Sequence, residues 1–252
     1  MLTINWLMLP AGTAIAAVAM FFGLGGAVLW MPVLLTFTTL KPDQAVMCTV
    51  VMQSFAQFSA TVSNSRAGLI SWPVVKLLAA AGLPGVLVGV LLSSLLHPIW
   101  MELFLGLAIF FIAYAFMRGD DFFIIGSDTA DLQEARKGRI IAAAGSVLTG
   151  LLGIGVGDWL VPFLNMRCGL SMPRAVATCV ALMFILSVTA AAAHFLSGRM
   201  PYLPIVLPGT IGVLIGAQLG SKLLQRVPET RFKELFVLML VFVATHVTFN
   251  AL

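Results

Sequence analysis

Charged residues are scarce in this chain of 252 residues, because Asp, Glu, Lys and Arg together make up only 10% of it. A typical soluble domain has about 25% charged and about 45–50% apolar residues. Here 60% of the residues are hydrophobic and the mean hydropathy is +1.06, which is more apolar surface than a soluble globule of this size can bury. The composition therefore excludes a soluble enzyme, a nucleic-acid-binding protein and a disordered chain, and predicts an all-α protein that crosses a membrane several times.

Cysteines and catalytic motifs are equally scarce. The three cysteines show no CxxC spacing, so we expect neither a disulfide framework nor a metal site. The sequence has no HExxH, GxSxG or Walker A motif and no soluble domain that could bind a nucleotide, so we expect no enzymatic activity, no cofactor and no ATP-driven pump. No Lys or Arg precedes Lys41, so the apolar N-terminus lacks the basic region of a signal peptide and is expected to remain in the mature protein.

Six apolar segments are long enough to cross a bilayer core, which takes about 20 helical residues. They are residues 43–63, 72–96, 99–117, 174–195, 203–225 and 231–251. Two further apolar regions, 3–40 and 139–168, are interrupted by glycine-rich stretches. One long polar stretch lies between Arg118 and Arg139. The resulting division is a first membrane repeat at 1–117, a cytoplasmic linker at 118–138 and a second membrane repeat at 139–252.

The two halves of the chain share a sequence pattern. FFGLGGAVLWMP at 21–32 aligns with LLGIGVGDWLVP at 151–162, and other positions match at the same offset, which indicates a duplicated unit. The basic residues predict its orientation. With the halves inverted, twelve of the fourteen lie on the linker side and only Lys41 and Arg199 on the other, whereas parallel halves divide them seven and seven. We therefore expect inverted repeats, a cytoplasmic linker and both termini outside.

The interrupted regions predict helices that do not cross the bilayer. Residues 139–152 and 158–168 would form helices of about 21 Å and about 16 Å, each shorter than a bilayer core of about 30 Å. Because the basic residues place both ends of 139–168 on the same side, we expect a broken or re-entrant helix pair with glycines at its tip. In the first half the corresponding segment, residues 3–22, is longer than 139–152, so a helix that crosses the whole bilayer is the alternative there. Three transmembrane helices complete each repeat.

Unwound backbone at membrane depth is tolerated only where protein buries it or where it lines a cavity. Two such breaks at matching positions of inverted halves are typical of a transporter's binding site. Helices that start near Ala27 and Asp158 would direct their N-termini, which favour anions, towards the centre. The candidate substrate-binding residues at these breaks are Gly23, Gly25, Gly26, Ala27, Gly155 and Gly157. The alternative is that the glycines only permit close helix packing.

Asp158 is the acidic residue that this arrangement places deepest in the membrane, where an ionisable group usually marks function. It could carry the proton of a coupled transport cycle, because burial favours the neutral form of a carboxyl group. It could instead bind a cation, or cap its helix, where an aspartate complements the helix dipole. The coupling role is the leading hypothesis.

Polar residues recur at three- to four-residue spacing along segment 43–63, so they share one face of a helix. They are Thr49, Gln53, Gln57, Thr61 and Asn64. Their counterparts in the second half are Cys179, Met183, Ser187, Ala191 and His194. The second set is less polar, so we expect an asymmetric site in which Gln53 and Gln57 supply neutral donors to the substrate. The alternative is hydrogen bonding between helices without a ligand.

The stretches GLGGAVLWMP and GIGVGDWLVP resemble the repeated glycine-rich motif of the TauE/SafE family, which groups sulfite exporters and toluene sulfonate uptake permeases. Pro42 with Ala45, and Gly68 with Gly198, also fit the family pattern. The sequence departs from it at 156–158, where Val-Gly-Asp replaces part of a run of glycines. The resemblance covers nearly the whole chain and implies secondary transport of small, often sulfur-containing anions.

Together these features predict a secondary transporter that moves a small anion, such as sulfite, a sulfonate or a carboxylate, by alternating access and with proton coupling. The alternatives are a transporter of a cation or neutral solute that binds Asp158 directly, and a channel. We expect the anion and the lipid bilayer as partners, no nucleic acid, and the bacterial inner membrane as the location. A homodimer is one of the assemblies that the sequence permits.

Overall fold

The computed structural model of the protein describes residues 2–96, 100, 107 and 129–226. Within these ranges the regular secondary structure is helical, without a β-sheet, and the prediction of an all-α fold is confirmed there. The described helices are α1 (Leu2–Phe22), α2 (Ala27–Phe37), α3 (Pro42–Arg66), α4 (Trp72–Leu95), α5 (Leu132–Leu152), α6 (Gly157–Met166), α7 (Met172–Leu196) and α8 (Leu203–Leu224).

Four of these helices, α3, α4, α7 and α8, are long and apolar enough to cross a bilayer. Each has a proline in its first turn, where the missing backbone N–H costs no hydrogen bond. Their bounds agree with the predicted segments to within three residues at either end. The other two predicted spans, 99–117 and 231–251, lie outside the described residues apart from positions 100 and 107. The chain is therefore a multi-pass membrane protein.

Each half begins with a helix pair that is broken by glycines. The α1–α2 break lies at residues 23–26 and the α5–α6 break at residues 153–156, an offset of 130. Gly23 and Gly153 end α1 and α5 in the left-handed conformation, with φ of 72° and 74°, which glycine adopts without steric cost. The first helix of both halves therefore ends by the same means, at the positions that the aligned motifs predicted.

Helix α5 begins at Leu132 rather than at residue 139, so the sequence-based start of this segment was wrong. The Asp131 carboxylate caps α5, because it accepts hydrogen bonds from the backbone N–H groups of Gln133 at 2.8 Å and Glu134 at 3.3 Å. Helices α1 and α5 have 21 residues each, which is about 31 Å, whereas α2 and α6 have 11 and 10 residues. Each pair thus joins a full-length helix to a half-length one.

The two ends of the α5–α6 pair lie side by side. The backbone N–H of Asp131, just before α5, donates to the carbonyl oxygen of Cys168, just after α6, at 3.0 Å. Between these ends the ring of Phe163 in α6 packs directly on Gly138 in α5. The chain therefore enters and leaves this helix pair at neighbouring positions.

The longest helix contacts are made between the halves. Helix α1 runs along α8, where Gly212, Gly216 and Gly220 lie against backbone carbonyl groups of α1. Helix α5 runs along α4 in the same way at Gly85 and Gly89. A Cβ atom at any of these glycines would overlap with the neighbouring backbone. These glycines permit close helix packing, as small residues commonly do in membrane proteins.

Helices α3 and α7 pack against each other and run antiparallel. The backbone N–H of Ser71, beyond the end of α3, donates to Thr178 Oγ1 near the start of α7 at 3.0 Å. The backbone N–H of Tyr202, beyond the end of α7, donates to Cys48 Sγ near the start of α3 at 3.2 Å. Moving along α3 towards its C-terminus therefore leads to one end of the helix pair, and moving along α7 towards its C-terminus leads to the other end.

Candidate functional site

The two glycine-rich breaks meet in the interior, and residues 23–26 and 153–157, which include Gly157 at the start of α6, are here called the tips. All of these residues are buried. Gly25 and Gly155 touch backbone to backbone, so a Cβ atom on either would overlap with the other. The structure thus brings together the two candidate stretches, which are 130 residues apart in the sequence.

The other close contacts at the tips also involve candidate glycines. A Cβ atom on Gly157 would overlap with the carbonyl oxygen of Gly23. Met183 of α7 covers the second tip, since its sulfur would lie 2.7 Å from a Cβ atom on Gly155 and 2.9 Å from one on Gly157. The space between the tips is therefore filled by the tips themselves and by Met183.

Gly26 differs from the other tip glycines because no neighbour occupies the space beside its Cα atom. A Cβ atom there would be 3.5 Å from Trp30 Cδ1 and 3.7 Å from Gln53 Oε1, which are ordinary contact distances. Ala27, the first residue of α2, is fully buried. The N–H groups that follow in the first turn of α2 already donate to carbonyl oxygens of the tip, so it is the positive end of the helix dipole that favours an anion here.

Gln53 joins α3 to the tip of the other half. Its Nε2 atom donates to the carbonyl oxygen of Gly153 at 2.9 Å, and because a carbonyl group only accepts, this contact fixes the orientation of the amide. The side chain is buried, and its Oε1 atom has no hydrogen-bond partner among the described residues. Gln53 therefore presents an acceptor towards Gly26, where the sequence led us to expect a donor.

The polar residues that follow Gln53 on α3 are buried, and each has at least one polar atom without a described partner. Both polar atoms of Gln57, Oγ1 of Thr61 and Nδ2 of Asn64 make no hydrogen bond within the described ranges. We call Gln53, Gln57, Thr61 and Asn64 the polar face of α3. Thr49, at the other end of the predicted stripe, contacts the Met31 sulfur at 3.8 Å. A buried polar group without a partner costs about 1–3 kcal/mol, so this face is suited to water or a polar ligand.

The equivalent face of α7 is largely closed. Met183 packs on the second tip, and Ser187 is buried with no described partner for its hydroxyl group. Both ring nitrogens of His194 are bonded: Nε2 lies 2.9 Å from the carbonyl oxygen of Gly150, and Nδ1 lies 2.8 Å from Nη1 of Arg199. Because the carbonyl group accepts and the guanidinium group donates, Nε2 carries the hydrogen and the ring is neutral.

Arg199 links helices of both halves near the end of α7. Its Nη1 and Nη2 atoms donate to the hydroxyl and the carbonyl oxygen of Ser93 in α4, at 2.6 Å and 2.7 Å. Partial burial lowers the pKa of Arg199 from its ordinary value while Asp43 raises it, and the guanidinium group stays charged. Sequence reasoning missed the Ser93 contact, because 106 residues separate the two and no pattern connects them.

Asp158 is the second residue of α6, directly after Gly157 of the second tip. The helix is capped by Val156, so Asp158 is not its N-cap residue. Its side chain is outside the described part of the structure, and the coupling role stays a prediction. Among the side chains that the structure describes, no three of His, Cys, Asp or Glu lie close enough together to hold a metal ion.

Known proteins are similar to this chain over most of its length. Residues 8–247 match the family described as sulfite exporter TauE/SafE. The chain is 26% identical over 263 aligned residues to a "probable membrane transporter protein" of Haemophilus influenzae, covering 97% of this chain and 98% of that protein. It is 23% identical over 242 residues to the "probable membrane transporter protein YunE" of Bacillus subtilis, with 86% of each covered. No solved structure matches the chain significantly.

Proposed function

Since the chain belongs to the sulfite exporter TauE/SafE family of membrane transporters, we propose that it carries a small oxyanion, such as sulfite or an organic sulfonate, across the membrane. The geometry of the tips supports an anion as cargo. Helices α2 and α6 both begin at the tips, so the positive ends of two helix dipoles lie near one another in the interior. This meeting of two helix N-termini is the observation that carries the proposal.

Neutral side chains next to the tips suit a cargo that must be released again. Gln57 is buried and offers hydrogen-bond donors without a fixed charge, whereas the Nε2 atom of Gln53 is already bonded to Gly153. A buried Lys or Arg would hold an anion by its full charge, whereas transport requires binding that is weak enough to let the cargo leave. Helix N-termini and amides supply such moderate binding.

We propose that the two halves are inverted and alternate access to the tips. The antiparallel course of α3 and α7, with the matching bonds Ser71–Thr178 and Tyr202–Cys48, supports an inverted arrangement. The positive-inside rule then favours a cytoplasmic linker, with both termini outside, in a bacterial inner membrane. The reaction is transport and not a chemical conversion.

We further propose that Asp158 couples transport to protons. An ionised carboxylate beside the second tip would repel an anion, whereas a protonated one would not, so proton binding and anion binding would favour each other. The same position in the first turn of α6 favours a second candidate function, in which Asp158 binds a cation directly.

Flux in proteoliposomes tests the choice of cargo. The purified protein is reconstituted, and uptake of labelled sulfite, sulfoacetate and an organic amine is measured with and without an inward proton gradient. We expect saturable uptake of the anions, faster with the gradient. Saturable amine uptake without anion uptake would favour the second candidate, and flux that never saturates would indicate a channel.

A pair of aspartate variants tests the coupling. Asp158→Asn should abolish the response of anion uptake to the proton gradient. Asp131→Asn is the control, because it keeps a side chain that caps α5 and lies away from the tips, and its response should be normal. If Asp158→Asn keeps the normal rate and pH dependence, the coupling role is wrong.

A further inference from the structure

The polar face of α3 extends from the tip towards one end of the α3–α7 pair. Gln57, Thr61 and Asn64 follow Gln53 by four, eight and eleven residues, so the face covers about 16 Å along the helix axis. All four side chains are at least nine-tenths buried, and each has at least one polar atom with no partner in the described protein. The unpaired groups thus form one continuous row.

This row is too costly to be an imperfection of packing. Native proteins leave only a few buried polar groups unpaired per 100 residues, whereas five such atoms lie on this single face. A buried polar atom without a partner loses the hydrogen bonds that it makes with water in the unfolded chain, so five of them on one face lower the stability of the fold. The row is therefore stable if small polar molecules enter it and supply the missing hydrogen bonds.

The unpaired row is confined to one side of the tips. On the equivalent face of α7, Met183 packs on the second tip, and His194 is bonded to Gly150 and Arg199. Because α3 and α7 are antiparallel, the two faces lead in opposite directions. In this structure protein contacts close most of the direction along α7, where one hydroxyl group, that of Ser187, has no described partner, whereas the direction along α3 is lined by five unpaired polar atoms.

The end that the polar face approaches carries exposed basic side chains. Arg66 ends α3 and Lys76 lies near the start of α4. Gln225 Nε2 is 3.4 Å from Asn64 Oδ1, which places the end of α8 and the exposed Arg226 beside the polar face. Exposed cations raise the local concentration of anions, so this end, here called the basic end, suits the mouth of an anion route.

We infer that Gln57, Thr61 and Asn64 line a hydrated branch through which a small oxyanion passes between the tips and the basic end. The Gln57 and Asn64 amides and the Thr61 hydroxyl group offer neutral donors about one helical turn apart, and these would replace water around the anion in steps. The inference rests on the proposed function only for its cargo, because the route itself follows from the unpaired groups.

Cysteine accessibility tests the route. In a variant with Cys48, Cys168 and Cys179 replaced, single cysteines are introduced as Gln57→Cys, Thr61→Cys and Asn64→Cys. A small, negatively charged, membrane-impermeant methanethiosulfonate reagent is applied from the basic end, whose side is identified with Ser65→Cys at an exposed position. We expect the three positions to react about tenfold faster than an inaccessible thiol, and a transported sulfonate to slow the reaction of Gln57→Cys.

Two positions serve as matched controls. Ser59 has the same exposed fraction as Thr61, 8%, but lies on the opposite side of α3, where its hydroxyl group donates to the carbonyl oxygen of Leu214 in α8 at 3.2 Å. Ser187 is the counterpart of Gln57 on α7. Ser59→Cys and Ser187→Cys should both react slowly from the basic end. Equal rates at Thr61→Cys and Ser59→Cys would overturn the route.

Folding and function are followed separately from labelling. Each variant must elute as a single species in detergent and must react fully after denaturation, and the near-isosteric Thr61→Cys decides the test if Asn64→Cys does not fold. If the positions react but no anion is transported, the proposed function fails and the route stands. If anions are transported while folded Thr61→Cys resists the reagent, the route is wrong.

Discussion

The side-chain amide of Gln53 donates a 2.9 Å hydrogen bond to the carbonyl oxygen of Gly153, and so ties the polar face of α3 to the tip of the other half. One turn further on, Gln57 has the same side chain and is as deeply buried, but neither of its polar atoms has a partner in the described ranges. One glutamine thus holds two halves of the molecule together, while its neighbour has its full hydrogen-bonding capacity for a ligand.

Methionine should lower stability at position 53 but not at position 57. Gln53→Met leaves the buried carbonyl group of Gly153 without its partner and should lower the free energy of unfolding by about 1–3 kcal/mol. Gln57→Met removes two unpaired polar atoms and should leave stability unchanged or raise it, while it reduces anion uptake. Thermal unfolding in detergent and flux in proteoliposomes measure both quantities. An equal loss of stability in the two variants would contradict the assignment.

Alanine substitutions at the tips should distinguish Gly25 and Gly155, which touch each other's backbone, from Gly26, where a methyl group fits. Gly25→Ala and Gly155→Ala each place a methyl group into the backbone of the opposite tip, so they should cost more than the ~1–3 kcal/mol typical of overpacking. Gly26→Ala should fold, because its φ of −54° is helical and its nearest neighbours are at contact distance, yet it should weaken anion uptake. The yield of monodisperse protein is the measurement. Normal yields for all three variants would refute the tip contact.

The spanning helices could be predicted because apolar length alone determines them. Helix α3, expected at 43–63, is observed at 42–66. The start of α5 was misplaced, because its first two turns are polar and a hydropathy criterion begins where apolar residues begin. The correct signal was present as Asp131 followed by Glu134, a pattern typical of a helix N-terminus.

The duplication predicted two glycine-rich stretches at equivalent positions, which the structure brings together, but not how the residues around them pair. It placed the two glycine-rich stretches at equivalent positions, and the helical spacing put Gln53 and Gln57 on one face. It gave no information about which of many buried carbonyl groups the Gln53 amide would reach. The same holds for Arg199 and Ser93, since a hydrogen bond between distant segments depends on the packed geometry and leaves no pattern in the sequence.

Cys168 should resist alkylation at neutral pH. Burial raises the pKa of its thiol from 9.0 to about 11, and the nearby carboxylates of Asp131 and Glu134 add to the increase. The thiolate is the reactive form, and a pKa near 11 leaves about 100-fold less of it at neutral pH than a pKa of 9.0. Iodoacetamide labelling followed by mass spectrometry should therefore be slow at pH 7 and accelerate as the pH approaches 11. Because burial contributes more to the raised pKa than the carboxylates do, Asp131→Asn should change this pH profile little. A large gain in reactivity would show that the Asp131 charge, and not burial, is the main cause.

The hydrogen bonds of Arg199 should keep the buried face of α7, which includes Ser187, inaccessible to solvent. It donates to the hydroxyl and carbonyl oxygens of Ser93 and to His194, so Arg199→Gln removes charge-assisted hydrogen bonds, each of which contributes about 1.5–3 kcal/mol. We expect a lower unfolding temperature. We also expect the negatively charged thiol reagent, applied from the end opposite Arg66, to modify Ser187→Cys faster in the Arg199→Gln background.

Two further variants separate closure from charge at that end. Lys41→Gln removes the other basic residue predicted there, which is exposed, and should leave the reaction rate of Ser187→Cys unchanged. Ser93→Ala loses the bond to the hydroxyl group but keeps the bond to the carbonyl oxygen, so its rate should be intermediate. If Arg199→Gln is folded and Ser187→Cys still reacts at its original rate, the bonds from Arg199 stabilise the helices without closing the face of α7. An equal increase with Lys41→Gln would instead assign the effect to the local charge, because only Arg199 reaches Ser93.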